Sequence, residues 1–260
     1  MNTSMKTTRR LIMTMAIFTC SAMTWAQVPY PKSFFEDTYA EQMTLKGKTP
    51  GIGDFATFYF ESDAMPEIWG LAYDAWRHYQ KHEPQAKGSY FVYDAKNGYL
   101  RYELNTREAY GDEFDYEDGS TIEMCYWNCA DRRHKLFAIN CKSMDNGRYY
   151  EAQYEGIFFQ IYDNNTRKLY VVSKEDIGAE VPIDTDEGYT MQDGKYYVKD
   201  RKTGQPLTLT EEEFSRWSED RPVVVYSLPQ QGKDITVLIQ RGANTEKRIL
   251  HWDGMRFSLK

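Results

Sequence analysis

The chain lacks most of what marks an enzyme or a membrane protein at first reading. No apolar run reaches the ~20 residues that a bilayer-spanning helix needs. No Gly-x-Ser-x-Gly elbow, phosphate-binding loop or Cys-His protease signature occurs, and there is no run of Lys or Arg. Cysteine is scarce, with four residues in 260, and basic residues are outnumbered by acidic ones, 32 to 39. Nucleic acid and anionic lipid both demand a basic face, so neither is an expected partner. No fixed repeat period is found, which argues against a propeller. These absences leave no catalytic residue, metal site or cofactor to assign from motifs.

What is present starts at the N-terminus. Lys6, Arg9 and Arg10 are followed by a short apolar run, residues 11–18, and then by Thr24-Trp25-Ala26. A basic start, an apolar middle and small residues at the two positions a signal peptidase reads make residues 1–26 a secretory signal peptide, cleaved before Gln27. The protein is then exported, periplasmic or secreted. A lipoprotein anchored through Cys20 is the minor alternative, weakened by Thr19 where Gly, Ala or Ser is wanted. The leader carries three of the 32 basic residues and none of the 39 acidic ones, which leaves the mature chain at −10.

The remaining 234 residues suffice for a single β-rich domain, 27–260. The alternative is a split near 174–188, an acidic stretch with Gly and Pro, into 27–175 and 186–260. Tyr outnumbers Phe by 21 to 13, and Tyr suits strands with one wet face. The clear helix is 66–82. There Ile68, Trp69, Ala72, Ala75, Trp76 and Tyr79 share one side at about 100° per residue, with Asp74, Arg77, Gln80 and Lys81 opposite. Residues 33–45 read as another helix, and 54–61 is ambiguous between helix and strand.

Beyond residue 88 the period changes. Segments 89–94 and 99–105 flank Lys96-Asn97-Gly98, a hairpin signal because Asn-Gly accepts positive φ cheaply. Strands are expected at 121–129 with 135–142, at 148–153, 157–162 and 168–172, and at 189–192 with 195–199 across Asp193-Gly194. Thr210 and Glu213 form a capping box that opens a short helix. Segments 222–228, 234–240, 246–252 and 255–259 finish the chain. Short turns between strands imply antiparallel pairing. The expected fold is α+β, mainly an antiparallel β meander with an N-terminal amphipathic helix packed on the sheet.

In an oxidising compartment Cys125, Cys129 and Cys141 default to one disulfide and one spare thiol. Placing Cys125, Trp127 and Cys129 on the same sheet face as Phe137, Ile139 and Cys141 requires opposed residue numbers with an even sum. Near a sum of 266 that pairs Cys125 with Cys141, the preferred bridge; Cys129–Cys141 is second, and three buried thiols are the remaining alternative. Cys125, Cys129, His134 and Cys141 do not have zinc-site spacing. His78 and His82 lie four apart on the helix but lack the Glu of a zinc protease. Gly51-Ile52-Gly53-Asp54 mimics a dinucleotide loop, yet no buried strand precedes it and Asp54 would repel phosphate. The acidic clusters Asp112–Asp118 and Asp184–Asp186 miss calcium-loop spacing.

The Ala26-Gln27 processing site, the aromatic hairpins, Tyr226-Ser227-Leu228-Pro229 and the ending 250–257 (LHWDGMRF) resemble small exported proteins of Bacteroides-type gut bacteria. Those are mostly of unknown function, so the resemblance carries no catalytic residue over. The expectation is a non-catalytic exported binding or envelope-associated protein. Its partner would be a glycan, a peptide or an envelope protein, with Trp127, Trp217 and Trp252 as stacking residues. The alternative is a glycosidase-like hydrolase whose carboxylates are brought together by the fold.

Overall fold

Along the middle of the chain the strands carry apolar residues at both parities, so both faces of their sheet must be covered. The computed structural model describes residues 35, 40–43, 49–61, 67–111, 119–145, 148–150, 156–182, 189–200, 203–219, 222–241 and 244–260. The expected leader 1–26 with Cys20, and the acidic clusters at 112–118 and 184–186, lie outside the described residues.

Eight strands form the main sheet: β1 (Ala40–Gln42), β2 (Ser89–Asp94), β3 (Tyr99–Asn105), β4 (Gly119–Asn128), β5 (His134–Asp145), β6 (Arg148–Tyr150), β7 (Gly156–Asp163) and β8 (Lys168–Val172). Their order is β1-β8-β7-β5-β4-β3-β2, with β6 also on β5, and the pairings are antiparallel. A second sheet holds β12 (Val223–Ser227), β13 (Ile235–Arg241), β14 (Asn244–Trp252) and β15 (Phe257–Leu259) in sequential order. Between them in sequence, β9 (Thr190–Gln192), β10 (Lys195–Lys199) and β11 (Pro206–Leu209) make a three-stranded sheet. The described helices include α1 (Ile52–Phe60), α2 (Glu67–Lys81), α3 (Thr106–Tyr110) and α4 (Glu211–Glu219). The protein is therefore α+β and mostly antiparallel sheet.

The main sheet is the middle layer. On one face Leu100, Tyr102, Ile122, Met124, Phe137, Ile139 and Cys141 meet α1 and α2 through Phe55, Tyr59, Trp69, Ala72 and Trp76. Phe55 stacks on Phe137 with ring centroids 4.3 Å apart. On the other face Cys125, Trp127, Leu136, Ala138, Phe159 and Ile161 meet Tyr226, Val237, Leu250, Trp252 and Phe257 of the second sheet. One hydrophobic cluster thus spans residues on both sides of 174–188, and a boundary there would divide it.

Local signals explain several elements. Asp193 and Gly194 have φ of 52° and 71°, the pair of left-handed residues that a two-residue hairpin turn requires. The Thr210 N–H donates to Glu213 at 2.9 Å and the Glu213 N–H to the Thr210 hydroxyl at 3.3 Å, a complete capping box for α4. The helix expected at 33–45 is corrected in its second half: Phe35 is helical, but residues 40–42 pair with β8 as a strand. Its other residues lie outside the described ones, Met43 apart. The ambiguous 54–61 segment is helical.

The expected cysteine register is also corrected. Cys125 is opposite Ala138 and Cys141 is opposite Ile122, so opposed numbers sum to 263. Cys125 packs toward the second sheet and Cys141 toward the helices. Thiols on opposite faces cannot meet at disulfide distance, and among the described residues Cys125, Cys129 and Cys141 are all buried thiols outside any disulfide.

Candidate functional site

Helix α1 starts at Gly51, whose N–H donates to the Asp54 carboxylate at 2.9 Å. That carboxylate sits in the first turn, where it also favours the helix dipole. Ile52, Phe55, Ala56, Tyr59 and Phe60 are buried, the i, i+3, i+4, i+7 spacing of a core stripe. The adjacent side of α1, with Gly53, Asp54, Thr57, Phe58 and Glu61, borders a cleft of about 810 Å³. Across it stand Trp76 and Gln80, one turn apart on α2, with Tyr93 of β2 and Glu41 and Gln42 of β1.

The cleft is fixed in place by its own contacts. Trp76 Nε1 donates to the Thr57 hydroxyl at 3.2 Å, tying α2 to α1. A Cβ at Gly53 would lie 2.9 Å from the Tyr93 hydroxyl, so a larger residue there would displace that hydroxyl from the cleft wall. Burial pushes the Tyr93 hydroxyl pKa up, with Tyr79 and Asp54 adding to the effect. Trp76 lies parallel to Tyr79 at 5.9 Å, and Tyr93 is 5.3 Å from Trp76 and 5.2 Å from Tyr79. Phe91 extends the group, 5.4 Å from Tyr79. Tyr79 keeps 39% of its surface exposed, a large apolar group left wet beside an aromatic-walled cleft.

Two chemistries meet there. The aromatic faces can take the apolar face of a flat or ring-shaped ligand. The carboxylates of Glu41, Asp54 and Glu61, the amides of Gln42 and Gln80 and the Thr57 hydroxyl can take its polar edge. Asp54 and Glu61 are seven residues apart along α1, about 10.5 Å of helical rise.

The three tryptophans expected to stack on a ligand are not at this cleft. Trp127 and Trp252 are buried between the two sheets. Trp127 donates its indole N–H to the Lys233 carbonyl at 3.1 Å and packs edge-on against Phe257 at 5.3 Å. No external ring can reach either face. Trp217, half-buried on α4, belongs to a separate stack: it lies 5.6 Å from Phe214, which is 3.9 Å from Tyr196 and parallel to it. The sequence reading missed the cleft residues, although its rejected Gly51-Ile52-Gly53-Asp54 segment turns out to form the rim.

Other expected constellations stay apart. His78 Nδ1 lies 3.0 Å from the Pro84 carbonyl, and His82 ends the helix with φ of 58°. His134 is buried against Asp131, with Nδ1 at 2.5 Å from its carboxylate. Among the described residues no group of three or more His, Cys, Asp or Glu could hold a metal, and no helix is long and apolar enough to cross a membrane. No protein-family model, curated protein or solved structure matches this chain.

Proposed function

We propose that this chain is an exported, non-catalytic binding protein whose helix-side cleft takes a glycan segment. The observation that carries the reading is exposed Tyr79 with half-buried Tyr93, both packed on buried Trp76, beside a polar-rimmed cleft of about 810 Å³, a volume within the range of ligand sites. A sugar has apolar C–H faces that stack on the electron-rich face of a ring and hydroxyl edges that need acceptors and donors. The cleft supplies both. The basic-apolar-small leader supports export, and an acidic mature chain fits a soluble ligand better than nucleic acid.

Calorimetry of the mature chain against a panel of neutral oligosaccharides tests this. At least one should bind, and Tyr79→Ala and Tyr93→Ala should each weaken it by about tenfold, the loss of roughly one stacking contact. Absence of binding across the panel, or unchanged affinity in both variants, refutes the reading.

Three carboxylates in one cleft favour a second reading, a hydrolase acting on the same ligand. Asp54 and Glu61 are two turns apart on one helix, so an acid–base pair would have to include Glu41 from β1. Turnover of the bound oligosaccharide that is lost in Glu41→Gln would establish it. Binding without turnover leaves the first reading standing.

A further inference from the structure

The charge of the helix-side cleft is one-sided. Its described lining holds three carboxylates, Glu41, Asp54 and Glu61, and no Lys, Arg or His. Asp54 uses one oxygen to accept from the Gly51 N–H at 2.9 Å, within the first turn of its own helix. The side chains of Glu41 and Glu61 make no hydrogen bond or ion pair among the described residues. Several other surface carboxylates are matched: Glu103 with Arg101 at 2.9 Å, Glu246 with Arg248 at 2.6 Å and Asp234 with Lys260 at 3.0 Å. One cation, Lys135 of β5, does interact with the Asp54 charge. It is buried over the Tyr126 ring, 3.9 Å from the centroid, and is not part of the cleft lining.

The unmatched charge is felt by the neighbouring tyrosines. Burial pushes the Tyr59 hydroxyl pKa up, with the Glu41 charge adding to it, and that buried hydroxyl has no hydrogen-bond partner. Tyr93 is pushed up by burial, with Tyr79 and Asp54 adding to the effect. A negative potential therefore acts on the Glu41 side and on the Asp54 side of the cleft alike.

We infer that the glycan taken by this cleft is an amino-sugar oligomer with free, protonated amines. The inference rests on the glycan reading of the same cleft and adds the charge of its ligand. An ammonium suits each part of the lining. Its three N–H groups donate to carboxylates that have no other partner. A cation near the faces of Tyr79 and Tyr93 is attracted by the ring quadrupole, while the sugar's C–H face still stacks. A neutral glycan would leave Glu41 and Glu61 to water, and an acidic one would be repelled by three like charges. Asp54 and Glu61 are separated by about 10.5 Å of helical rise, so they meet amines on different rings of one oligomer.

The test is calorimetry of the chain from Gln27 with the β-1,4-linked tetramer of glucosamine and with its fully N-acetylated counterpart, in mildly acidic buffer that keeps the amines protonated. Acetylation removes the charge and keeps the ring faces. Tetralysine, which carries comparable charge without sugar rings, controls for general attraction to an acidic chain. The glucosamine tetramer should bind about tenfold or more tighter than the N-acetylated one and tighter than tetralysine, and its advantage should shrink as salt is raised. Glu41→Gln/Glu61→Gln should remove most of that advantage, and each single variant part of it. Equal affinity of the two tetramers, tetralysine binding as tightly as the glucosamine tetramer, or an advantage that survives in the folded double variant would overturn the inference. With equal affinity the glycan reading still stands. If neither tetramer binds, the inference falls and the glycan reading is decided by the neutral panel. The wild-type comparison settles the matter even if the double variant fails to fold.

Discussion

Replacing Glu123 by Ala should destabilise the protein by about 4 kcal/mol. The carboxylate is buried and accepts from four donors. Tyr99 Oη reaches Oε1 at 3.1 Å, while Asn140 Nδ2, Lys142 Nζ and the Leu228 N–H reach Oε2 at 2.9, 3.3 and 3.2 Å. It therefore ties β3, β4 and β5 to the chain just after β12. Burial, with the Glu123 charge adding to it, pushes the Tyr99 hydroxyl pKa up, so this tyrosine stays a neutral donor. Removing the carboxylate strands one ammonium and three neutral donors. Breaking a buried ion pair from one side costs about 3–5 kcal/mol, and each stranded neutral donor about 1 kcal/mol or more. Water entering beside Lys142, which is 14% exposed, returns part of that sum. In urea the midpoint should fall by about 2 M, taking a slope of about 2 kcal/mol/M. Glu123→Leu/Lys142→Met removes both charges together and should recover more than half of the loss. A single variant that loses less than about 1 kcal/mol, or a double variant whose loss equals the sum of the singles, would show that the network does not hold the sheets together.

Two further outcomes follow from the same packing. The chain from Gln27, denatured without reductant, should show three alkylatable thiols, because Cys125 and Cys141 face opposite sides of the sheet. In the native state Cys129 should react slowly, since burial, helped by Asp131, pushes its thiol up to about 12; a single alkylatable thiol would reinstate a bridge. At Asp163 burial alone would raise the carboxyl pKa, but the Arg133 hydrogen bonds, the Asn165 N–H and the nearby positive charge overcome it and hold it at about 2. A depressed carboxylate contributes stability above its unfolded pKa, near 3.8, that is lost as the pH falls toward 2. Arg133 is half exposed, so Arg133→Gln should cost only about 1 kcal/mol near neutral pH. Melting temperatures across a pH series should show that gap closing between about pH 4 and pH 2; a gap that persists at the acid end would refute the pairing.

The helix and hairpin signals were legible because each is local. The stripe Trp69, Ala72, Trp76 sets α2, Asp193-Gly194 sets a turn, and Thr210 with Glu213 sets a cap. The ambiguity at 54–61 was avoidable, since Ile52, Phe55, Ala56, Tyr59 and Phe60 already have helical spacing. The cysteine register was not legible. Parity identifies a register only where one face is wet, and here Phe137, Ile139 and Cys141 lie under helices while Leu136 and Ala138 lie under a second sheet. The same two-sided burial hid the fate of Trp127 and Trp252, which look alike in sequence whether they face a ligand or a core. The cleft could not be read because its residues come from β1, α1, α2 and β2, and the long-range packing that joins them has no local signature.

The most direct test of glycan binding at the helix-side cleft is a chemical-shift map of the chain from Gln27 with the tightest-binding neutral oligosaccharide. The proposed site predicts that the largest changes fall on the Trp76 indole, Tyr79, Tyr93 and Gln80, and that Tyr93→Ala abolishes them. Largest changes on the three-stranded sheet around Trp217, or none at any saccharide concentration, would contradict it.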